Sequence, residues 1–350
     1  MEAYTGKERV RAAAKRSFAD RVPVGIIMGH FTAYLTGCPL REFYTDARKL
    51  ADCIIAGYER FRQDTVGVSI DAHRETEALG AALDFEGSSE PTITGHLLED
   101  KKRLLTLKIP DPQADGRIPM YLEACRRIHS ALPGASVGGF VSGPWNLACA
   151  LRGIERIIMD TMDDPPFVHD LMAFTAAVSE RVGTAIAETG VTLSTAEPTA
   201  SCSVISPKIY RQFVQPYHQE VVNFFRQRKR PLSVHVCGYI DPIMNDLVDT
   251  GFVGISIDSV SSLREMVRVS GRRALVIGNV ATHLFLQGSK EEIASAVKDC
   301  IDIAAPGSAY ILSTGCSIPY RSDPERVAYY MDFARNYGRY ETFLQPGKNP

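Results

Sequence analysis

Short apolar runs rich in β-branched residues alternate with longer amphipathic stretches along almost the whole chain. Eight runs predict strands, at residues 22–28, 65–70, 136–140, 192–195, 232–236, 254–257, 274–277 and 309–312. The stretches between them predict helices, at residues 46–62, 120–132, 166–189, 207–228, 240–250, 262–270, 290–305 and 323–337. Strands that alternate with helices pair in parallel through crossover helices. Eight such units in 350 residues predict an α/β fold, the (β/α)8 TIM barrel.

A charged helical stretch at residues 8–19 precedes the first predicted strand, so we expect residues 1–21 to form an N-terminal helical extension. No repeat or low-complexity linker divides the chain, and Pro110-Asp111-Pro112 marks a surface loop. We therefore expect one barrel domain over residues 1–350. An open doubly wound sheet is the alternative, although the first predicted strand lacks the glycine-rich turn of a dinucleotide site.

The balance of charge argues against several kinds of partner. Lysine and arginine total 39, and aspartate and glutamate total 41, which argues against a nucleic-acid-binding surface. No uncharged apolar run approaches the roughly 18–20 residues that span a bilayer. The first 21 residues carry nine charged side chains, so they do not resemble a signal peptide. We expect a cytoplasmic protein with a small-molecule substrate, without nucleic-acid or membrane partners; the sequence leaves the oligomeric state open.

Three side chains with metal-binding chemistry occur where two predicted strands end, which is where barrel enzymes place their functional residues. His235 and Cys237 stand two residues apart, so both point to one face of the strand, and Gly238 then lets the backbone turn. Cys316 follows the last predicted strand and is the natural third ligand, because loops after different strands border the same barrel mouth. One nitrogen and two sulfur ligands suit Zn²⁺. The alternative is that both thiols line the barrel as inert apolar side chains.

Four other polar residues occupy predicted strand ends. Glu197, followed by Pro198, has three possible roles: a fourth zinc ligand, a base for a bound thiol, or the partner of a helix N-terminus without chemistry. Asp258, His73 and Asn279 are candidates for cofactor contacts, with hydrogen bonding inside the loops as the alternative.

The segments His235-Val236-Cys237-Gly238 and Ser313-Thr314-Gly315-Cys316 resemble the zinc signature of a known group of enzymes. These are the corrinoid-linked methyltransferases of the uroporphyrinogen decarboxylase superfamily, which include the methylcobamide:coenzyme M methyltransferases. The similarity continues through much of the chain, at Asp71 with Glu75, Ser142-Gly143-Pro144-Trp145, Glu197-Pro198, Phe213-Val214-Gln215-Pro216-Tyr217 and Gly278-Asn279-Val280. The fold of that superfamily is a (β/α)8 barrel.

This resemblance implies a zinc ion held by His235, Cys237 and Cys316, and a small thiol that accepts a methyl group from a methylcobamide. The corrinoid would arrive free or on a partner corrinoid protein, and the reverse transfer, from a methylated donor to a reduced corrinoid, stays open. The decarboxylases of the superfamily differ, because they carry arginine after the first strand, whereas residues 28–34 contain none here. A metal-free decarboxylase acting on a tetrapyrrole or other carboxylate, and a non-catalytic corrinoid- or tetrapyrrole-binding barrel, remain the alternatives.

Overall fold

A curled parallel sheet forms the centre of the molecule. The computed structural model describes residues 4–86 and 90–343. Within those residues the strands are β1 Thr65–Val68, β2 Leu83–Asp84, β3 Thr92–Ile93, β4 Ser136–Ser142, β5 Thr192–Ala196, β6 Leu232–Val236, β7 Gly254–Ile257, β8 Leu275–Val280 and β9 Tyr310–Thr314. Seven of them form one parallel sheet in the order β1-β4-β5-β6-β7-β8-β9, while β2 and β3 form a small antiparallel pair. The predicted α/β barrel class is confirmed.

The first predicted strand closes this sheet without being a regular strand. Within residues 22–28, Val24 bridges Leu312 of β9 and Gly25 bridges Thr65 of β1, both in parallel. A β-carbon on Gly25 would lie 2.3 Å from the Thr65 hydroxyl, so only glycine permits this approach. Pro23 has no N–H to donate, which limits the ladder further. The expectation of eight regular barrel strands is therefore wrong: in the described residues the barrel consists of seven regular strands and one bridging segment.

Helices cover the outside of the sheet, and all eight helical stretches expected between the strands are present. The α-helices are Gly6–Ala14, Phe31–Thr36, Leu40–Thr45, Ala47–Phe61, Arg74–Ala78, Ile118–Ala131, Pro144–Arg152, Ile154–Asp163, Pro165–Glu188, Pro207–Ile209, Gln215–Gln227, Met244–Thr250, Leu263–Ser270, Leu284–Gln287, Lys290–Ala304, Pro324–Tyr337 and Tyr340–Phe343. Short 3₁₀ helices occur at Lys101–Thr106, Asp241–Ile243 and Ala305–Gly307, and a short π-helix occurs at Tyr210–Val214. No helix in the described part of the chain is both long and apolar enough to cross a bilayer.

The N-terminal helix lies across one end of the barrel, where it packs against β1, β4 and β9. It spans Gly6–Ala14, which is shorter than the predicted stretch 8–19, and it begins at a capping box between Thr5 and Glu8. Arg9 is 1% exposed and anchors the helix by ion pairs of 2.6 Å to Asp20 and 3.1 Å to Asp64. The N-terminal helix therefore closes the barrel at the end opposite to the carboxyl ends of the strands.

Candidate metal centre

The carboxyl ends of β6 and β9 bring together the three side chains predicted to bind metal. His235 Nε2 lies 3.1 Å from the Cys237 sulfur, and that sulfur lies 3.5 Å from the sulfur of Cys316. One ligand atom from each residue falls within 4.8 Å of the others. Two strands lie between β6 and β9 in the sheet. The curvature of the barrel nevertheless brings together Cys237 and Cys316, which are 79 residues apart in the sequence.

The chemistry of these donors fits zinc. Both cysteines are free thiols, and each of the three residues is only partly buried, so an ion can enter. Tetrahedral zinc with bonds of about 2.0–2.3 Å separates its ligand atoms by roughly 3.3–3.8 Å, close to the spacing seen here. Among the described residues, this is the one group of at least three histidine, cysteine or acidic side chains with ligand atoms so close together.

Hydrogen bonds orient the imidazole and favour a thiolate. His235 is paired with Ser256 in the register of β6 and β7, and its Nδ1 lies 3.0 Å from the Ser256 hydroxyl, which leaves Nε2 directed at the sulfurs. The hydrogen bond from Cys237, with the His235 imidazole nearby, lowers the pKa of Cys316 to about 4 although burial opposes this. The same hydrogen bond, together with burial, raises the pKa of Cys237. The surroundings therefore favour the thiolate form of Cys316.

Asp258 and Asn279 secure the turn that carries Cys237 and the neighbouring turn after β7. Gly238 has a φ of +80°, and its N–H donates to the Asp258 carboxylate at 2.9 Å. The side-chain amide of Asn279 donates to the carbonyls of Asp258 and Ser261, both at 3.0 Å. These groups hold the turns after β6 and β7 together. Their predicted contact with a cofactor stays a prediction.

Glu197 lies outside the cluster of three ligands. Its side chain is fully buried, and it accepts hydrogen bonds from the backbone N–H groups of Trp145 at 3.2 Å and Asn146 at 2.8 Å. His218 Nε2 lies 2.8 Å from the same carboxylate. A β-carbon at Gly143 would come within 2.1 Å of Glu197, so the chain leaves space for the carboxylate there. Of its three predicted roles, this placement matches the partner of a helix N-terminus.

Asp71 and His73 lie at the same end of the barrel, after β1. Both oxygens of Asp71 accept hydrogen bonds from Arg117, at 2.5 and 3.0 Å, and one accepts the His73 backbone N–H at 2.9 Å. The His73 Nδ1 is buried and has no hydrogen-bond partner among the described residues, and burial lowers the pKa of this imidazole. Arg117 is not among the residues predicted from the sequence, because it lies 46 residues after Asp71 in a loop that follows no predicted strand.

The ion pair between Asp71 and Arg117 leads to a prediction about pH. Burial raises the pKa of Asp71, but the hydrogen bonds and charge of Arg117 outweigh this and lower it. A folded-state pKa below the unfolded value stabilises the protein at neutral pH, and this contribution is lost as the pH falls through the folded value. Arg117→Met is expected to lower the free energy of unfolding by about 3 kcal/mol at pH 7, because it leaves a buried carboxylate unpaired.

The measurement is urea denaturation of wild type and Arg117→Met at pH 7 and at pH 4.5. The loss in free energy of unfolding caused by Arg117→Met should be smaller at pH 4.5, because the unpaired Asp71 of the variant can take up a proton there. Arg126→Met, on an exposed ion pair, is the matched control and should change stability by less than about 1 kcal/mol. An equal deficit at both pH values would contradict this account of the pair.

The fold is thus a parallel α/β barrel whose mouth brings together one nitrogen and two sulfur atoms that could hold a metal ion. The family model for uroporphyrinogen decarboxylase (URO-D) matches residues 5–337, and the chain belongs to that family. The methylcobamide:CoM methyltransferase MtbA of Methanosarcina acetivorans is 25% identical over 347 residues, which cover 96% of this chain and 99% of that protein. A methylated-thiol–coenzyme M methyltransferase of Methanosarcina mazei is 26% identical over 339 residues, covering 93% and 88% respectively. A solved structure described as a methyltransferase from Methanosarcina mazei superposes with a TM-score of 0.86 at 25% identity, covering 95% of this chain and 99% of that one.

Proposed function

We propose that this protein is a zinc-dependent methyltransferase that moves a methyl group between a corrinoid and a small thiol. The observation that carries the proposal is the cluster of His235, Cys237 and Cys316 at the barrel mouth, with all ligand atoms within 4.8 Å. Two similar proteins, named as methyltransferases acting with methylcobamide or with methylated thiols, support the reaction class. Both match this chain over nearly its whole length.

In this proposal the three residues hold zinc, and neighbouring residues position two of them. Zinc bound by them would lower the pKa of a coordinating thiol, so that the acceptor is present as a thiolate at neutral pH. Ser256 fixes the ring of His235 through Nδ1, and the turn at Gly238, held by Asp258, sets the position of Cys237. Two cysteine sulfurs already offset the charge of a divalent ion, which leaves electron density on the acceptor sulfur.

The transfer itself balances as a displacement at carbon. The acceptor thiol gives up its proton to solvent, its sulfur attacks the methyl carbon, and a carbon–sulfur bond forms as the carbon–cobalt bond breaks. Both electrons of the broken bond stay on the corrinoid, which leaves reduced by two electrons. Because the ligands lie at the carboxyl ends of the strands, the corrinoid, free or on a partner corrinoid protein, has to approach from this side of the barrel.

The test is to mix purified protein with methylcobalamin and a panel of thiols and to follow the corrinoid spectrum. We expect demethylation that depends on both protein and thiol, together with about one zinc per chain. Loss of methyl from a methylated thiol to added reduced corrinoid would assign the opposite direction. A metal-free protein that decarboxylates a tetrapyrrole, with a rate unchanged in Cys237→Ala, would replace this proposal with a lyase.

The hydrogen bond between Ser256 and the His235 ring leads to a testable prediction. Ser256→Ala removes the hydrogen bond that orients His235, and we expect zinc affinity to fall by about 10- to 100-fold. The measurement is competition for zinc with a chromophoric chelator. Ser194→Ala, which removes a hydroxyl from the neighbouring strand β5, should leave the affinity within about twofold. Equal affinities for wild type and Ser256→Ala would show that this hydrogen bond has no effect on the site.

A further inference from the structure

The inside of the barrel is unusually open for a sheet of this kind. In β6 the residues that point inward, Ser233 and His235, are only partly buried, whereas the outward Val234 is fully buried beneath helices. The same alternation occurs in β1 at Gly67 and in β5 at Ser194. Most barrels of this type fill their interior with bulky branched side chains. Glycine and serine at these positions leave that space unfilled.

The space forms one cavity of about 480 Å³ inside the barrel. His235 lines it at the level of the metal centre, and Val10 and Ala13 of the N-terminal helix line it at the opposite end. Its volume lies within the range of about 300–1,000 Å³ that is typical of small-molecule sites.

The lining of the cavity determines which molecules fit it. Phe140, Ile277 and Ile311 contribute hydrocarbon, and Ser194 and Ser233 contribute hydroxyl groups. Two arginines, Arg16 and Arg273, line the cavity at the end near the N-terminal helix, and both already have hydrogen-bond or ion-pair partners. Arg16 donates to the carbonyl of Arg273 at 2.9 Å, and Arg273 pairs with Asp249 at 2.7 Å. A charged molecule in the middle of the cavity would therefore lose its hydration without gaining an oppositely charged partner. A neutral molecule has much less hydration energy to lose.

We infer that the barrel interior binds the uncharged body of the acceptor thiol, so that the substrate class is a neutral thiol with a hydrocarbon or hydroxyl-bearing chain. This inference rests on the proposed function. His235 belongs to both regions, because it is among the residues that line the cavity and its Nε2 lies 3.1 Å from Cys237. The thiol sulfur reaches the metal centre, and the chain extends past the imidazole towards Ser233. A thiol with a sulfonate or carboxylate on a short chain is then a poorer acceptor than a neutral thiol of equal length.

Binding without metal or turnover provides the first test. Benzyl alcohol has the size and neutrality of such a substrate but no thiol, so it can be titrated into Cys237→Ala protein by ligand-observed NMR. We expect saturable binding that Ser233→Leu weakens at least tenfold by filling the cavity. Ser194→Val, a smaller change on the neighbouring strand, should weaken it as well. Ser130→Leu, at an exposed helix position, is the matched control and should bind as well as the parent protein. Absence of binding, or equal binding in all four proteins, overturns the inference.

Rates with different thiols provide the second test and separate the two claims. With methylcobalamin as donor, wild type should favour benzyl mercaptan over 2-sulfanylethanesulfonate, and Ser233→Leu should lose this preference at least tenfold while retaining zinc. If wild type methylates thiols but Ser233→Leu keeps the same preference, the cavity inference fails and the methyltransferase proposal stands. If benzyl alcohol binds in the cavity but no thiol accepts a methyl group, the proposed function fails, and with it the assignment of the cavity to an acceptor thiol.

Discussion

Replacing Cys237 or Cys316 with alanine is expected to remove zinc from the purified protein and to abolish methyl transfer. The two sulfurs lie 3.5 Å apart, so each alanine leaves two donors where a stable zinc site needs at least three from the protein. Loss of an outer hydrogen bond already weakens metal sites by about 10- to 100-fold, and loss of a ligand should exceed this. We expect zinc to fall from about one ion per chain to below about 0.1, measured by plasma mass spectrometry after dialysis.

Cys202→Ala is the matched control for this experiment. Cys202 is also a partly buried free thiol, in the loop after β5 at the same end of the barrel, but it is not one of the three clustered residues. We expect full zinc content and full activity in this variant. Circular dichroism of each protein distinguishes loss of the ion from loss of the fold. Full zinc in the double variant of Cys237 and Cys316 would show that the ligands are elsewhere.

Glu197→Ala is expected to destabilise the protein by about 4–5 kcal/mol. The carboxylate is fully buried and satisfies the N–H groups of Trp145 and Asn146 as well as the imidazole of His218. Alanine leaves all three without this partner and creates a cavity at the start of the helix Pro144–Arg152. Urea denaturation measures the loss directly.

Glu197→Gln separates the roles that the sequence suggested for this residue. Glutamine has nearly the same shape, so it should retain zinc and destabilise the protein less than alanine does, although its NH₂ group faces donors. Unchanged zinc content in both Glu197 variants would agree with the position of the carboxylate outside the ligand cluster. Loss of zinc from folded Glu197→Gln protein would instead make Glu197 a ligand.

The fold was largely predictable because parallel strands buried under helices have a strong local pattern. Leu232–Val236 and Gly254–Ile257 have the predicted bounds, since both are short apolar runs bordered by turn residues. The helix Pro144–Arg152 was not predicted, because seven of its nine residues are buried and it therefore has no polar face. The bridging segment 22–28 was predicted as a full strand because its apolar pattern does not reveal how few backbone pairs it makes.

The candidate site was predictable where its geometry follows from the fold, and less so where it depends on distant contacts. A histidine and a cysteine two apart on one strand necessarily share a face, and barrel closure explains why Cys316 joins them. The environment of Glu197 could not be inferred, because Trp145 lies 52 residues earlier and His218 lies 21 residues later in the chain. The open barrel interior depends on which residues of five or more strands face inward together, which no single segment of sequence reveals.

X-ray absorption at the zinc edge of the purified protein tests the central claim most directly. We expect a first shell that contains two sulfur atoms at about 2.3 Å and at least one nitrogen at about 2.0–2.1 Å. In Cys316→Ala protein reconstituted with zinc, any remaining signal should contain one sulfur fewer. A zinc shell composed of oxygen and nitrogen alone, or one that is the same in wild type and Cys316→Ala, would contradict the assignment of His235, Cys237 and Cys316 as the metal centre.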